Sequence, residues 1–161
     1  MRFTGIQEAK LDAKGRVFFP SDFRRLLQAD ESRLVLKRDV FQPCLVLYPY
    51  AAWLAEVDEV KSRLNRWDPV QAMLFRQFMA EVEILNLDAA GRLLLSKRWL
   101  AAAGLSGKVR FVGADDRVEL WSAEKADQCF MQPEAYAQAM QQAMNGGAPQ
   151  ESSRNCDTAH P

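Results

Sequence analysis

LDAKGRVFF, Leu11 to Phe19, sets the organisation of the chain, because a closely similar stretch follows later in the sequence. It returns 76 residues later as LDAAGRLLL, Leu87 to Leu95, and six of the nine positions are identical or aliphatic in both copies. An Asp followed three residues later by a Gly is typical of a type I β-turn. The repeat therefore predicts two similar halves, each built around one strand, turn and strand unit.

Both copies continue in the same way, with the signals of a short helix and then of two strands. The predicted elements are helical turns capped by Ser21 and by Ser96, the second ending at Gly104, and strands at 33–37, 44–48, 109–112 and 117–121. Each unit of about 45 residues lies at the small end of the domain range. Alone, it would have a thin core.

The sequence between the copies has a helical pattern. Apolar residues from Trp53 to Leu64 recur at spacings of three and four, which places them on one helix face. A second helix is expected to begin after Asp68, its cap, and to end near Ala80. Pro69 occupies the first helical position, and Gln71 supplies an amide at the capping-box position. A helical hairpin is therefore expected to join the halves.

These signals together predict an α+β protein. The expected segments are a first repeat at 5–52, a helical connector at 53–80, a second repeat at 81–124, a C-terminal helical segment at 125–144 and a disordered tail at 145–161. The aromatic residues expected in the core are Trp53, Phe78, Trp99 and Trp121.

Composition excludes several classes of protein. The 161 residues include 21 Lys and Arg against 21 Asp and Glu, but the first 50 residues carry a net charge of +3 and residues 124–161 carry −3. The chain starts without an apolar segment and has no run of about 18 apolar residues, so we expect a cytoplasmic protein without membrane contact. We expect no cofactor and no small-molecule substrate.

The positions of the cysteines and of the histidine argue against a metal site and against a nucleophilic catalytic site. Cys44, Cys129 and Cys156 are far apart and odd in number, so we expect reduced thiols and no metal site. The only histidine, His160, is the penultimate residue, so a Ser-His or Cys-His catalytic pair is not expected.

The turn geometry of the repeated motif does not require its two arginines. Asp12, Gly15, Asp88 and Gly91 are accounted for as loop formers. Arg16 and Arg92 could form a local ion pair with the preceding Asp, or could present a guanidinium fork to phosphates and guanine edges. Spacing alone leaves both interpretations open, and Lys14, replaced by Ala90 in the second copy, favours the second interpretation for the first loop.

Carboxylate catalysis is the alternative from another class of protein. Asp12 and Asp88 occupy equivalent places in the two halves and could form a dyad. Their surroundings are polar, glycine-containing turns beside Arg, whereas acid–base carboxylates usually need apolar burial. We therefore expect no enzyme and no catalytic residue.

The chain resembles the MraZ transcriptional regulators over residues 1–123. The resemblance is carried by LDAKGRVFFPSDFRRLL, CLVLYP with Trp53, LDAAGRLLL, AGL at 103–105 and VELW at 118–121. It implies two SpoVT-AbrB modules of the swapped-hairpin type that form one pseudo-two-fold β-barrel. It also implies ring-shaped homo-oligomers in the cytoplasm and nucleoid that bind short promoter repeats upstream of the division and cell-wall gene cluster, usually as a repressor.

The resemblance assigns roles residue by residue. Lys14, Arg16 and Arg92 carry over as contacts to double-stranded DNA, and Asp12 and Gly15 carry over as loop formers. This chain has Ala9 where the family often has His, and Ser96 where it often has Pro. Ala90 suggests that the second loop faces DNA poorly or faces a neighbouring subunit. A different function stays open, namely an AbrB-like module that binds a partner protein, as antitoxin relatives do.

Overall fold

The computed structural model describes residues 2–27 and 33–146. The strands are β1 (Ile6–Lys10), β2 (Arg16–Phe18), β3 (Arg33–Arg38), β4 (Leu45–Pro49), β5 (Val82–Asn86), β6 (Arg92–Leu94), β7 (Lys108–Ala114) and β8 (Arg117–Ser122). The helices are α1 (Ser21–Leu26), α2 (Tyr50–Arg63), α3 (Pro69–Ala80), α4 (Lys97–Ala103), α5 (Ala123–Ala126) and α6 (Pro133–Gly146). The predicted disordered tail, with Cys156 and His160, lies outside the described residues from 147 onward.

The chain divides into two compact units, one up to Asp127 and one from Gln128. The first unit holds all the named strands and the helices α1 to α5. The second unit contains α6, whose apolar residues are mostly exposed. Everything that concerns the repeated motif lies in the first unit.

The sheet has an internal symmetry that follows from the sequence repeat. Six strands pair in the order β1-β7-β8-β4-β3-β5, and every pair is antiparallel. A shift of 76 residues maps β1 onto β5 and β2 onto β6, and brings β3 to β7. Strands β4 and β8 are the fourth strands of their copies, although their offset is not 76 residues. Exchanging the copies therefore reverses the strand order onto itself. The predicted α+β class is confirmed.

Strands of one copy pair mainly with strands of the other. The first strand of each copy lies beside the third strand of the other copy, as β1 with β7 and β5 with β3. Strands β2 and β6 form a separate two-stranded antiparallel sheet, here called the ribbon. Neither copy could form this arrangement alone, which agrees with the thin core expected for a single unit.

The implied barrel is not seen as one continuous hydrogen-bonded sheet. Among the described strands, β1 and β5 are the edges of the six-stranded sheet, and no ladder joins them to the ribbon. With three residues in each strand, the ribbon has little backbone to offer a neighbour. It is fixed instead by Val17 and Leu93, whose side chains are buried in the core.

The central strands are buried on both faces. Leu34 and Leu36 of β3 belong to the main core cluster, which the ribbon also joins, whereas Val35 between them belongs to a second cluster. This explains the continuous apolar runs LVL and LVLY, because a strand covered on both faces shows no alternation. The second cluster contains Trp53 of α2.

Helices α2 and α3 cover the second face of the sheet. Trp53 is buried, contacts Tyr48 of β4 at 5.6 Å between ring centroids, and stacks on Phe78 of α3 at 5.2 Å. Arg117 of β8 donates hydrogen bonds to the Tyr48 hydroxyl at 3.1 Å and to the Glu56 carboxylate of α2 at 3.0 Å. A residue of the second repeat thereby holds a helix that follows the first.

Trp99 and Trp121 are buried, as predicted, whereas Phe78 is only half-buried. The predicted helix starts are confirmed only in part. Asp68 caps α3, since its carboxylate accepts from the N–H groups of Val70 and Gln71. Ser21 is not a cap, because Pro20 takes that position, and Ser96 lies at its cap position without a side-chain hydrogen bond. Gly104 ends α4 in the left-handed conformation, as its sequence position indicates.

Candidate nucleic-acid interface

The loop of the first copy, residues 12–16, is organised by the Asp12 carboxylate. Its Oδ1 accepts from the backbone N–H of Lys14 at 2.9 Å and of Arg16 at 2.8 Å. Its Oδ2 accepts from Nε of Arg16 at 2.7 Å. The turn is closed by a hydrogen bond from the Gly15 N–H to the Asp12 carbonyl at 3.1 Å.

The loop of the second copy, residues 88–92, repeats these contacts. Asp88 Oδ1 accepts from the N–H groups of Ala90 at 3.0 Å and Arg92 at 2.8 Å, and Oδ2 accepts from Nε of Arg92 at 2.8 Å. The Gly91 N–H donates to the Asp88 carbonyl at 2.9 Å. Two loops with the same pattern of hydrogen bonds are therefore present in one chain.

Each loop accepts a backbone hydrogen bond from the other copy of the repeat. The Leu95 N–H donates to the Gly15 carbonyl at 2.9 Å, and the Phe19 N–H donates to the Gly91 carbonyl at 3.0 Å. Gly15 has φ +84°, and a Cβ at this position would lie 2.5 Å from the Leu95 carbonyl oxygen. The glycine is thus required both by its conformation and by the close approach of the other copy.

Both motif arginines form the local ion pair and stay partly exposed. Arg16 and Arg92 each form the local ion pair through Nε, and their side chains are 35% and 30% exposed. Within the described residues, no further hydrogen bond engages the Nη atoms of Arg16. The carboxylate therefore fixes the direction of the guanidinium and leaves its outer edge available.

The structure supplies the second loop with a cation that the sequence analysis missed. Lys14 is exposed in the first loop, and its counterpart is Ala90. Arg24 of α1, however, reaches the second loop and donates from Nη1 to the Ala90 carbonyl at 3.1 Å. The residue 76 positions after Arg24 is Leu100, which lies beside Gly15 in the first loop. Each loop thus has two cationic side chains, contributed in different ways.

The two carboxylates are held in their ionised form. The hydrogen bond from the Arg16 N–H, together with the Arg16 side chain, lowers the pKa of Asp12 below its ordinary value. The Arg92 N–H and side chain lower the pKa of Asp88 in the same way. This direction is opposite to the raised pKa that a general acid needs.

Two other features of the described residues could hold a ligand. Asp39, Cys44 and Glu119 each place one possible metal-ligand atom within 4.8 Å of the others, although they are too far apart in sequence to suggest a site. Asp39 Oδ1 already accepts from the N–H groups of Phe41 and Gln42, and Glu119 accepts from the Cys44 thiol at 3.9 Å. Internal hydrogen bonds therefore account for this cluster.

The second feature is a groove of about 480 Å³ between the turn after β3 and the helices α2 and α3. Lys37 lies in its wall with Nζ 4.4 Å from the centroid of the Phe78 ring, and burial lowers the pKa of this lysine. Three carboxylates also line the groove, those of Asp39, Glu56 and Glu81. Its mixed charges single out no class of ligand.

The fold and the loops are those of a two-repeat α+β protein in which each repeat presents an arginine from an Asp-anchored turn. The family model described as "MraZ protein, putative antitoxin-like" matches the chain twice, at residues 2–77 and 78–145. The chain belongs to the MraZ family.

Similar proteins come from several bacteria. A protein of Bacteroides fragilis named "Transcriptional regulator MraZ" is 48% identical over 145 residues, which cover 89% of this chain and 92% of that protein. Proteins of the same name from Bacteroides thetaiotaomicron and Escherichia coli are 46% and 36% identical, over 90% and 74% of this chain and over 94% and 78% of those proteins. The family is one of transcriptional regulators, which is not a class of enzyme. None of the helices in residues 2–27 and 33–146 is long and apolar enough to span a bilayer.

Proposed function

We propose that this protein is a sequence-specific DNA-binding regulator whose two Asp-anchored loops bind double-stranded DNA. The observation that carries the proposal is the geometry of Arg16, whose Nε is fixed by Asp12 at 2.7 Å while the side chain stays partly exposed. A guanidinium held in this way offers a pre-oriented fork, the arrangement that suits phosphate oxygens and the O6 and N7 atoms of guanine. Lys14, exposed in the same loop, suits a phosphate.

The second loop takes part in the proposal through Arg92 and Arg24. Together with Lys14 and Arg16, these residues give each subunit four cations on two loops. Few phosphates are neutralised per subunit, and the net charge of the chain is zero, so a single subunit would bind weakly. We propose that a homo-oligomeric ring presents several loop pairs to short promoter repeats, because linked contacts raise the effective concentration.

The resemblance supports the remaining parts of the proposal. They are repression of the division and cell-wall gene cluster, a location in the cytoplasm and on the nucleoid, and a fold of two swapped-hairpin modules that together form a barrel. The pairing of β1 with β7 and of β5 with β3 supports the swapped arrangement. The segment boundaries at 5–52, 53–80, 81–124, 125–144 and 145–161 stay predictions.

The test is fluorescence anisotropy of the purified protein with DNA from upstream of its own gene and with a scrambled duplex, across a series of salt concentrations. We expect specific binding whose log K falls steeply with log salt. Arg16→Ala should abolish specific binding and leave the oligomer size unchanged. Arg63→Ala is the matched control, because Arg63 is an exposed arginine of α2 that also pairs with a carboxylate, Glu59.

Two results would contradict the proposal. If the wild type does not bind DNA at low salt, the protein has another partner. If Arg16→Ala binds like the wild type, the loop is not the contact.

The alternative function is an AbrB-like module that binds a partner protein, which the antitoxin-like description of the family favours. A protein that co-purifies with the chain, without retention on DNA, would support this alternative.

A further inference from the structure

The outer face of the ribbon combines charged and apolar side chains. Residue pairs across the ribbon are Arg16 with Leu94, Val17 with Leu93, and Phe18 with Arg92. The central pair is buried, so the side chains of the two outer pairs lie on the opposite, outer face. Phe18 is 56% exposed and Leu94 is 60% exposed. Two large apolar side chains thus share a surface with both motif arginines.

The side chains on the outer face of the ribbon are close enough for one ligand to contact all of them. Side chains directly opposite each other in an antiparallel pair are about 5 Å apart at Cβ, and next neighbours on one face are about 7 Å apart. A flat or grooved ligand that meets Arg16 and Arg92 therefore also meets Phe18 and Leu94. The guanidinium of Arg92 lies 5.8 Å from the centroid of the Phe18 ring, which places these two side chains together.

The charges around the patch indicate which ligand covers it. Arg16 and Arg92 lie at opposite corners of the outer face, and Lys14 and Arg24 extend the positive surface to the adjoining loops. A second protein chain that buried Phe18 and Leu94 would also have to accommodate this positive surface, on which Asp12 and Asp88 already pair with Arg16 and Arg92. Double-stranded DNA does so with its phosphates, and its major groove admits a two-stranded β-ribbon.

We propose that Phe18 and Leu94 contact the C5-methyl groups of thymines in the major groove and contribute to sequence specificity. Apolar side chains contact this methyl group in other protein–DNA interfaces, and it distinguishes A·T pairs from G·C pairs. The proposal rests on the proposed function, since the loops must first place the ribbon in the groove. It adds apolar contacts to bases where the arginines alone supply polar ones.

The pseudo-two-fold symmetry of the ribbon predicts a feature of the preferred DNA sequence. The axis passes through the pair of Val17 and Leu93, so that Arg16 beside Leu94 is equivalent to Arg92 beside Phe18. Each half of the outer face therefore has one guanidinium and one apolar group. The preferred DNA is expected to have a thymine next to a guanine or phosphate contact on each strand, related by an approximate two-fold axis.

The test compares a thymine-containing duplex from upstream of the protein's own gene with the same duplex carrying deoxyuridine in place of thymine. Deoxyuridine keeps base pairing and lacks only the C5-methyl group. Binding of the wild type, Phe18→Ala and Leu94→Ala is measured by anisotropy over a salt series. Ile84→Ala is the control, because Ile84 of β5 is 52% exposed but does not belong to the ribbon.

The wild type should bind the deoxyuridine duplex more weakly, by about fourfold for each methyl group that becomes buried. Phe18→Ala and Leu94→Ala should bind the thymine duplex more weakly and discriminate less between the two duplexes. Their salt dependence should equal that of the wild type, because no phosphate contact is removed. The Ile84→Ala control should behave like the wild type.

Two results would overturn the inference while the proposed function stands. One is equal discrimination by the wild type and by both ribbon variants. The other is a changed oligomer size for Phe18→Ala or Leu94→Ala in gel filtration, which would assign the patch to a contact between copies. Failure of the proposed function itself looks different, because the wild type would then bind neither duplex.

Discussion

At the scale of single residues, the loops depend on one carboxylate and one glycine each. Asp12 satisfies two backbone N–H groups and the Arg16 side chain, so that a turn without regular secondary structure still has its polar groups paired. Gly15 supplies the positive φ and the close approach to Leu95. The position of the Arg16 guanidinium therefore depends on Asp12 and Gly15.

The first prediction compares two glycines with nearly equal φ, Gly15 at +84° and Gly5 at +83°. Gly5→Ala should lower the free energy of unfolding by about 1 to 2 kcal/mol, the cost of a left-handed conformation for a residue with a Cβ. Gly15→Ala should cost more than about 3 kcal/mol, because its Cβ also clashes with the Leu95 carbonyl. Urea denaturation measures both, and equal costs would show that the approach of Leu95 is easily relaxed.

What the sequence predicted at this scale is local. The turns at 12–15 and 88–91 involve residues only three or four positions apart, so their composition and spacing suggest their shape. The contact of Arg24 with the second loop joins residues 66 positions apart. A sequence pattern does not show which side chains meet across a fold. The 76-residue offset did contain a signal. Lys14 of the first copy corresponds to the uncharged Ala90 of the second, and Arg24 of the first copy corresponds to the uncharged Leu100 of the second.

At the scale of elements, the short helix α4 is stabilised by the residues that it buries as well as by its C-terminal cap. Helix α4 has seven residues and no side-chain cap, yet it buries Trp99 and Ala103 against the core. The Trp99 indole N–H donates to the carboxylate of Glu83 on β5. The sequence located this helix from its apolar spacing and from Gly104. It assigned Ser21 wrongly as the cap of α1, because Pro20 and Ser21 are both acceptable near a helix start.

Two tryptophans, Trp99 and Trp67, are expected to differ in their contribution to stability. Trp99 is 4% exposed, and Trp99→Ala should lower the free energy of unfolding by about 3 to 5 kcal/mol, because it leaves a cavity in the core. Trp67, between α2 and α3, is 82% exposed, and Trp67→Ala should change stability by less than about 0.5 kcal/mol. Thermal and urea denaturation test both variants. A near-neutral Trp99→Ala would contradict the assignment of α4 to the core.

At the scale of the whole molecule, the two copies form a single structure whose symmetry is only approximate. The sheet order reverses onto itself when the copies are exchanged, and the ribbon lies on the symmetry axis. The repeat predicted two similar halves with thin cores, and the resemblance to the MraZ family implied that each half completes the core of the other. They did not predict the pairing of β4 with β8, because strand order in a sheet depends on contacts between distant residues.

The last prediction concerns the equivalence of the two loops. If both bind DNA, Arg24→Leu removes a cation from the second loop and should reduce the slope of log K against log salt by about 0.9 for each phosphate that this arginine neutralises. Leucine is the matched replacement, because Leu100 occupies the equivalent place beside the first loop. Adding Ala90→Lys then gives the second loop the pattern of the first and should restore the slope. A wild-type slope for Arg24→Leu alone would show that Arg24 neutralises no phosphate, whereas a reduced slope that Ala90→Lys restores would show that the fold presents two loops of equal function built from unequal sequences.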